Sequence, residues 1–262
     1  MNNPRALVLS GDGINCASET AHGLELAGFS AVVSHSSDLL ANPSELAGAS
    51  LLALPGGFSF GDEIASGKVL AVKIRHKMLE LLHQYIDKGG LVLGICNGFQ
   101  TLVQLGLLPN SDKRDVPTVS LRHNASGKFI NRWVEMSVNQ NTPFLNSLQT
   151  ISLPIRHGEG RIQMKPDASA DEIAFVQNQT ALTYNLDVNG SFERIAALTN
   201  AKGNVFGLMP HPEAFVRHSQ HPAYQAYKHA AADRKAENTI VCFENKFADG
   251  LVILKNARFS LN

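Results

Sequence analysis

Three things are scarce in this 262-residue sequence: net charge, cysteine and long apolar runs. Its 23 lysines and arginines are balanced by 23 aspartates and glutamates, which removes the electrostatic case for a nucleic-acid or polyanion binder. Three cysteines, Cys16, Cys96 and Cys242, stand far apart without a C-x-x-C pair, so neither a disulfide framework nor a thiolate zinc site is expected. The first apolar run, Ala6–Leu9, falls short of the roughly 7–15 residues of a signal-peptide core. No stretch reaches the 18 or so apolar residues of a membrane span. The expectation is a soluble cytoplasmic protein that touches neither membrane nor nucleic acid. With 44% hydrophobic residues, a chain of this length can bury a large core without staples.

What is present falls into two styles. Over the first hundred residues, short apolar runs at Ala6–Leu9, Ala31–Val33, Leu51–Leu54 and Leu91–Ile95 read as buried parallel strands. Helical stretches separate them: Ser18–Ala27, with Ser18 as N-cap, and Val69–Ile86, with Ile74, Met78, Leu81, Leu82 and Tyr85 on one face until Gly89-Gly90. Alternating strand and helix implies an α/β fold, a mainly parallel open sheet with helices on both faces. Between about 115 and 200 the pattern becomes antiparallel-leaning, with strands expected at Lys128–Val138, Ile151–Ile155 and Glu172–Gln177. Core strands return at Ile195–Leu198 and Val205–Met209, followed by an Ala-rich helix (Ala223–Glu237) and an amphipathic segment, Gly250–Ser260.

The sharpest local signal is Gly94-Ile95-Cys96-Asn97-Gly98. An apolar strand runs into a cysteine flanked by glycines at −2 and +2, and an apolar helix follows. That is the thiol counterpart of the nucleophile elbow, whose sharp turn leaves no room for side chains at ±2. It also points sulfur at a helix N-terminus, which favours thiolate. A thiol of ordinary pKa, about 8.5, is only a few per cent ionised at pH 7, so lowering it by two units raises the reactive fraction roughly 20-fold.

The second signal is Met209-Pro210-His211-Pro212-Glu213. Pro212 biases His211 to an extended conformation, in which residues two apart point the same way. Glu213 can then bond the far ring nitrogen and fix the tautomer of a base serving Cys96. The third is the loop Leu54-Pro55-Gly56-Gly57-Phe58-Ser59-Phe60-Gly61-Asp62. Gly57 N–H and Asn97 N–H are the candidate oxyanion donors.

Rival spellings fail. Gly61 to Gly67 encloses five residues, and Val69 follows Lys68, so the phosphate-loop pattern is not met. Gly11-Asp12-Gly13 lacks the final glycine of a dinucleotide fingerprint. His211-x-Glu213 begins a zinc-deaminase pattern but lacks the downstream P-C-x-x-C, Cys242 being alone; no metal is expected. Cys16 is a competing nucleophile without an evident base and reads as a packed core thiol. His218, His221 and His229 read as solvated.

Taken together, these residues resemble the class I (triad) glutamine amidotransferases, and among them the glutaminase subunits of phosphoribosylformylglycinamidine synthases. The resemblance runs through Gly13-Ile14-Asn15-Cys16, Leu54–Asp62, Gly94–Gln100, Gly106-Leu107-Leu108-Pro109, Arg132-Trp133, His157-Gly158-Glu159-Gly160-Arg161, Asn189-Gly190-Ser191 and Gly203–Glu213. It implies a flavodoxin-like amidotransferase domain over 1–217, with 218–262 a C-terminal extension packed on it. Cys96 would form a γ-glutamyl thioester, His211 would move protons and Glu213 would orient it. Gln100 would contact glutamine, with His157 and Glu159 lining the pocket or the ammonia exit. Ala214 departs from the arginine usual after the glutamate. The resemblance implies no cofactor in this chain, with ATP and Mg on a large synthase subunit that receives the ammonia, and it leaves room for a small third subunit. The rivals are a stand-alone cysteine hydrolase of the same fold, acting on γ-glutamyl or peptide bonds, and an idle amidotransferase-like binding module.

Overall fold

The computed structural model describes residues 3–109, 117–139, 141–226, 228 and 248–261. The apolar runs of the first hundred residues become β1 (Arg5–Ser10), β2 (Ser30–His35), β3 (Leu51–Leu54) and β4 (Leu91–Ile95), joined by α1 (Ala17–Ala27), α2 (Ser36–Ala41) and α3 (Lys68–Asp87). After β4 come α4 (Asn97–Leu105), β5 (Val119–His123), β6 (Ile130–Val138), β7 (Thr150–His157) and β8 (Glu159–Met164). The chain continues through α5 (Ala170–Asn178), β9 (Thr180–Tyr184), β10 (Ile195–Thr199) and β11 (Val205–Leu208) to α6 (Asp249–Phe259).

Nine strands form one sheet in the order β2-β1-β3-β4-β11-β10-β9-β6-β7, and β5 pairs with β8 in a small second sheet. From β2 to β11 all pairs are parallel, the flavodoxin-like order 2-1-3-4-5 with β11 as the fifth strand. From β11 to β7 all pairs are antiparallel. The antiparallel-leaning insertion expected between about 115 and 200 prolongs this sheet with β9, β6 and β7 and adds the small β5-β8 sheet. The chain steps one way from β1 to β2 and the other way from β2 to β3 and β4. Right-handed crossovers in opposite directions put α1 on one face and α2 and α3 on the other; α3 packs on α4, and α1 on α6.

The core is the interior of this sheet, where β3, β4, β10 and β11 are buried along their whole length. Four expectations need correction. Glu172–Gln177 lies inside α5, which a capping box at Ser169 and Glu172 starts. Leu81 is 42% exposed on α3, while Leu79 and His83 take buried places. β2 is an edge strand, leaving Val32 and Val33 partly exposed instead of covered on both faces. The N-cap of α1 is Cys16, two residues before the expected Ser18. Most of the helix expected at Ala223–Glu237, with His229 and Cys242, lies outside the described residues. Among the described residues no helix is long and apolar enough to cross a membrane.

Candidate active site

Cys96 sits between β4 and α4 with φ 50° and ψ −102°, a backbone state that L-residues rarely occupy and that costs roughly 1–3 kcal/mol. The surrounding packing enforces it. Cys96 N–H donates to Leu208 O of β11 at 2.8 Å. A Cβ at Gly98 would lie 1.9 Å from Leu54 O, and one at Gly94 would lie 2.5 Å from Leu102 Cδ1. Both glycines of the elbow are therefore required by contact. Sγ of Cys96 lies 3.8 Å from Arg156 O.

His211 reaches the same place from the end of β11. Its backbone is extended (φ −109°, ψ 91°), as Pro212 dictates. Its N–H donates to Pro154 O at 2.9 Å. β7 is the sheet edge, where a proline is tolerated and carbonyls remain free to accept. Nδ1 of His211 and Oε1 of Glu213 are 2.5 Å apart. Glu213 arrives there through a 3₁₀ turn, Pro212–Ala214, so the pairing comes from a turn and not from continued extended chain. Burial by itself lowers the His211 pKa. The Glu213 carboxylate and the Cys96 and Cys16 thiols outweigh it and hold the imidazolium well above the ordinary histidine range. Nε2 makes no hydrogen bond and is the nitrogen left for the thiols.

Before these residues opens a cleft of about 180 Å³, lined in part by Gly57, Phe58, Cys96, Gln100, His157 and Glu159. It lies outside the C-terminal ends of the parallel strands, where ligands of such sheets bind. A wider depression of about 340 Å³, lined by Leu46, Tyr85 and Lys88 among others, lies at the opposite, N-terminal ends of β3 and β4. Gly57 is a lining residue, and Asn97 is buried at the first position of α4, where its N–H has no intrahelical acceptor.

Asn97 ties the glycine loop to the elbow. Its Oδ1 accepts from Ser59 N–H at 3.2 Å, and its Nδ2 donates to Asp62 Oδ1 at 3.0 Å and to Gln100 Oε1 at 3.1 Å. The loop is strained, with positive φ at Phe60, Gly61 and Asp62. Burial raises the Asp62 pKa, opposed by hydrogen bonds from Ser66, Gly67 and Asn97. Gln100 Nε2 donates to Glu159 O, and Glu159 Oε2 accepts from Ser66 N–H at 3.3 Å.

His157 Nδ1 pairs with Asn124 Oδ1 at 3.0 Å. Asn124 Nδ2 already donates to two carbonyls, so its oxygen must accept and Nδ1 must carry the hydrogen. Nε2 of His157 is then a bare, buried lone pair. Burial first, and then the neighbouring His211, lower the His157 pKa to about 4.

The structure thus brings Cys96, His211, Glu213, Gly57, Asn97, Gln100, His157 and Glu159 to one place. Two sequence expectations fail beside it. Cys16 is half-buried next to His211 and is not a core thiol. His221 is not simply solvated, because its ring meets that of Trp133 edge-on, with centroids 4.6 Å apart. Sequence reasoning passed over Asn124 and Tyr184. Tyr184, wholly buried with an unpartnered hydroxyl, has its pKa raised by burial and by Cys96. No local motif marks either residue.

Comparison with known proteins agrees with the geometry. Residues 3–248 match the family model of the CobB/CobQ-like glutamine amidotransferase domain. The phosphoribosylformylglycinamidine synthase subunit PurQ of Thermotoga maritima is 41% identical over 217 residues, covering 81% of this chain and 89% of that one. The subunit of the same name from Dehalococcoides mccartyi is 38% identical over 233 residues, with 86% and 91% covered. A chain in the structure of PurLQS from Thermotoga maritima superposes with a TM-score of 0.74 at 34% identity, covering 99% of this chain and 100% of that chain.

Proposed function

This chain belongs to the CobB/CobQ-like glutamine amidotransferase family, and we infer from that membership that it is the glutaminase subunit of a phosphoribosylformylglycinamidine synthase. It hydrolyses glutamine and supplies the nitrogen to a synthase subunit for de novo purine biosynthesis. The observation that carries the reading is the strained Cys96 at the cleft floor, facing a His211 that Glu213 orients at 2.5 Å.

In the proposed mechanism the Cys96 thiolate attacks the glutamine side-chain carbonyl carbon. The developing oxyanion is met by the N–H groups of Gly57 and Asn97. His211, held as imidazolium, gives its proton to the departing nitrogen as the C–N bond breaks, and ammonia leaves a γ-glutamyl thioester. The now neutral ring takes a proton from water, whose oxygen attacks the thioester. Glutamate leaves and the thiol is restored. Gln100 and Glu159 line the pocket and are tied to the elbow through Asn97, and the neutral His157, held by Asn124, forms another part of its wall. Ammonia released into water is mostly protonated at neutral pH and then no longer a nucleophile, so it must pass directly to the partner. Phe58 and Phe129, 47% and 55% exposed at the cleft, supply an apolar rim for that docking. ATP and Mg act on the synthase subunit, in the cytoplasm.

Two measurements test the reading. A glutamine-mimicking diazo-ketone should label Cys96 selectively, as peptide mass spectrometry would show. Glutaminase activity should be low for the isolated chain and rise when a synthase subunit with its substrate and ATP is added. Labelling elsewhere, or complete amidine formation by this chain alone, would overturn it.

A further inference from the structure

His157 is held more firmly than the wall of a pocket requires. It ends β7, and that strand end lies against both reacting groups. The carbonyl of the peptide joining Arg156 to His157 stands 3.8 Å from Sγ of Cys96, and the Pro154 carbonyl takes the His211 N–H at 2.9 Å. Gly160 clears the space for the ring, since a Cβ there would stand 2.3 Å from both Cε1 and Nδ1 of His157. Asn124, itself buried, holds the residue twice. Its Oδ1 takes the Nδ1 hydrogen at 3.0 Å, and its Nδ2 donates to the His157 carbonyl at 2.8 Å. The outcome is one tautomer, with a lone pair at Nε2 that no donor of the described chain meets. On a residue only 3% exposed, a bare acceptor costs stability unless a ligand brings the hydrogen. Nε2 of His211 is bare and closed to bulk water in the same way, so what these two nitrogens meet has to arrive with the substrate. Burial, and then the neighbouring His211, keep the His157 ring neutral, with a pKa of about 4.

We propose that Nε2 of His157 accepts a hydrogen bond from the nitrogen that glutamine surrenders, first as a carboxamide N–H and then as an N–H of ammonia. This role rests on the glutaminase chemistry proposed above and adds a named atom to it. A primary amide carries a carbonyl acceptor and two N–H donors. The backbone N–H groups of Gly57 and Asn97 meet the carbonyl oxygen, and Nε2 of His157 meets the nitrogen from the end of β7. As the C–N bond breaks, its electron pair stays on nitrogen and His211 adds the proton, while His157 exchanges none. Ammonia is then held by an acceptor with no proton to give, so it remains the uncharged nucleophile that the partner needs. Glutamate offers only lone pairs at the same point, and they face the lone pair of Nε2. The product is thereby repelled from the place that retained the amide.

The test compares leaving groups. Wild type, H157N and H157Q are assayed as the full chain, with the synthase subunit present, on L-glutamine and on the γ-methyl ester of glutamate, whose leaving oxygen carries no hydrogen. For each substrate kcat/KM reads the barrier from free enzyme up to acylation. H157N keeps a donor for Asn124 and removes the acceptor, whereas H157Q returns an amide oxygen near the place of Nε2. The amide-to-ester ratio of kcat/KM should fall about tenfold in H157N, the worth of one hydrogen bond, and rise again in H157Q. The ratio of the glutamate Ki to the glutamine KM should fall in H157N as well. Each ratio is internal to one variant, so a general loss of folded protein cancels from it. An amide-to-ester ratio unchanged in H157N, or no higher in H157Q than in H157N, would overturn the proposal and leave the glutaminase reading standing. A wild-type protein that cleaves the ester but never glutamine would sink that reading, and the role of His157 with it.

Discussion

The charge on one carboxylate sets the state of the site. Burial opposes an imidazolium at His211, and Glu213 is the largest influence that reverses it. Replacing Glu213 by Gln keeps the size and removes the charge, so the ring should become neutral and free to take the wrong tautomer. We expect kcat to fall roughly 10²- to 10⁴-fold, with a smaller change in KM and a normal fold by circular dichroism; a kcat within a few-fold of wild type would defeat the assignment. His157 obeys the opposite balance, since burial dominates and its folded pKa is about 4 against 6.5 for the free side chain. Between those values the unfolded chain binds a proton that the folded chain refuses. Stability is therefore full above pH 6.5 and falls as pH drops toward 4, by up to about 3 kcal/mol from this group. Urea midpoints measured at pH 7 and pH 4.5 should differ less in His157→Gln than in wild type. The meeting of Cys96 and His211 in one site was legible in sequence because each carries a local steric signature: glycines around Cys96, proline after His211. Tyr184, Asn124 and the exposure of Cys16 were not legible, because each depends on which distant strand or loop lies alongside.

An element is only as well placed as its closest backbone contact. α4 enters against β3, with the position of a Gly98 Cβ 1.9 Å from Leu54 O. Neither atom belongs to a flexible side chain, so Gly98→Ala must push a helix away from a strand. A loss of about 3 kcal/mol or more is expected, together with loss of the elbow. Gly158→Ala is the control, since its nearest contact would be Phe129 Cδ2 at 3.9 Å; its midpoint should stay within about 0.5 kcal/mol of wild type. Equal effects in thermal denaturation would mean that the elbow glycines are not packed as described. The parallel strands were readable as elements because short, fully apolar runs between helices admit few other structures. α5 was not: Ile173, Phe175 and Val176 offer too few apolar positions to separate a helical from an extended period. The decisive clue was the Ser169 to Glu172 capping spacing, which outweighs weak periodicity in a nine-residue helix.

At the scale of the molecule, the last helix joins the catalytic loop to the far side of the sheet. α6 packs on α1, where Leu254 Cδ1 would lie 2.8 Å from a Cβ at Gly23. At its other end, a Cβ at Gly250 would lie 1.9 Å from Pro212 O. Asp249 Oδ2 accepts from Ser152 N–H at 2.8 Å, covering a free donor of the edge strand β7, whose Pro154 carbonyl holds His211. Sequence patterning showed that Gly250–Ser260 was amphipathic but not which surface it would cover, because that surface is assembled from β7, α1 and the turn after His211. Two substitutions on this one helix should therefore behave differently. Leu254→Ala empties a fully buried site and should cost about 2–5 kcal/mol, lowering Tm by roughly 5–15 °C while kcat at a permissive temperature is retained. Gly250→Ala presses on the Pro212 carbonyl between His211 and Glu213, so kcat should fall further than Tm does. Parallel losses of Tm and kcat in both variants would mean that α6 acts only as a cover for the core. A kcat loss confined to Gly250→Ala would mark the helix as a support for the base and its orienter.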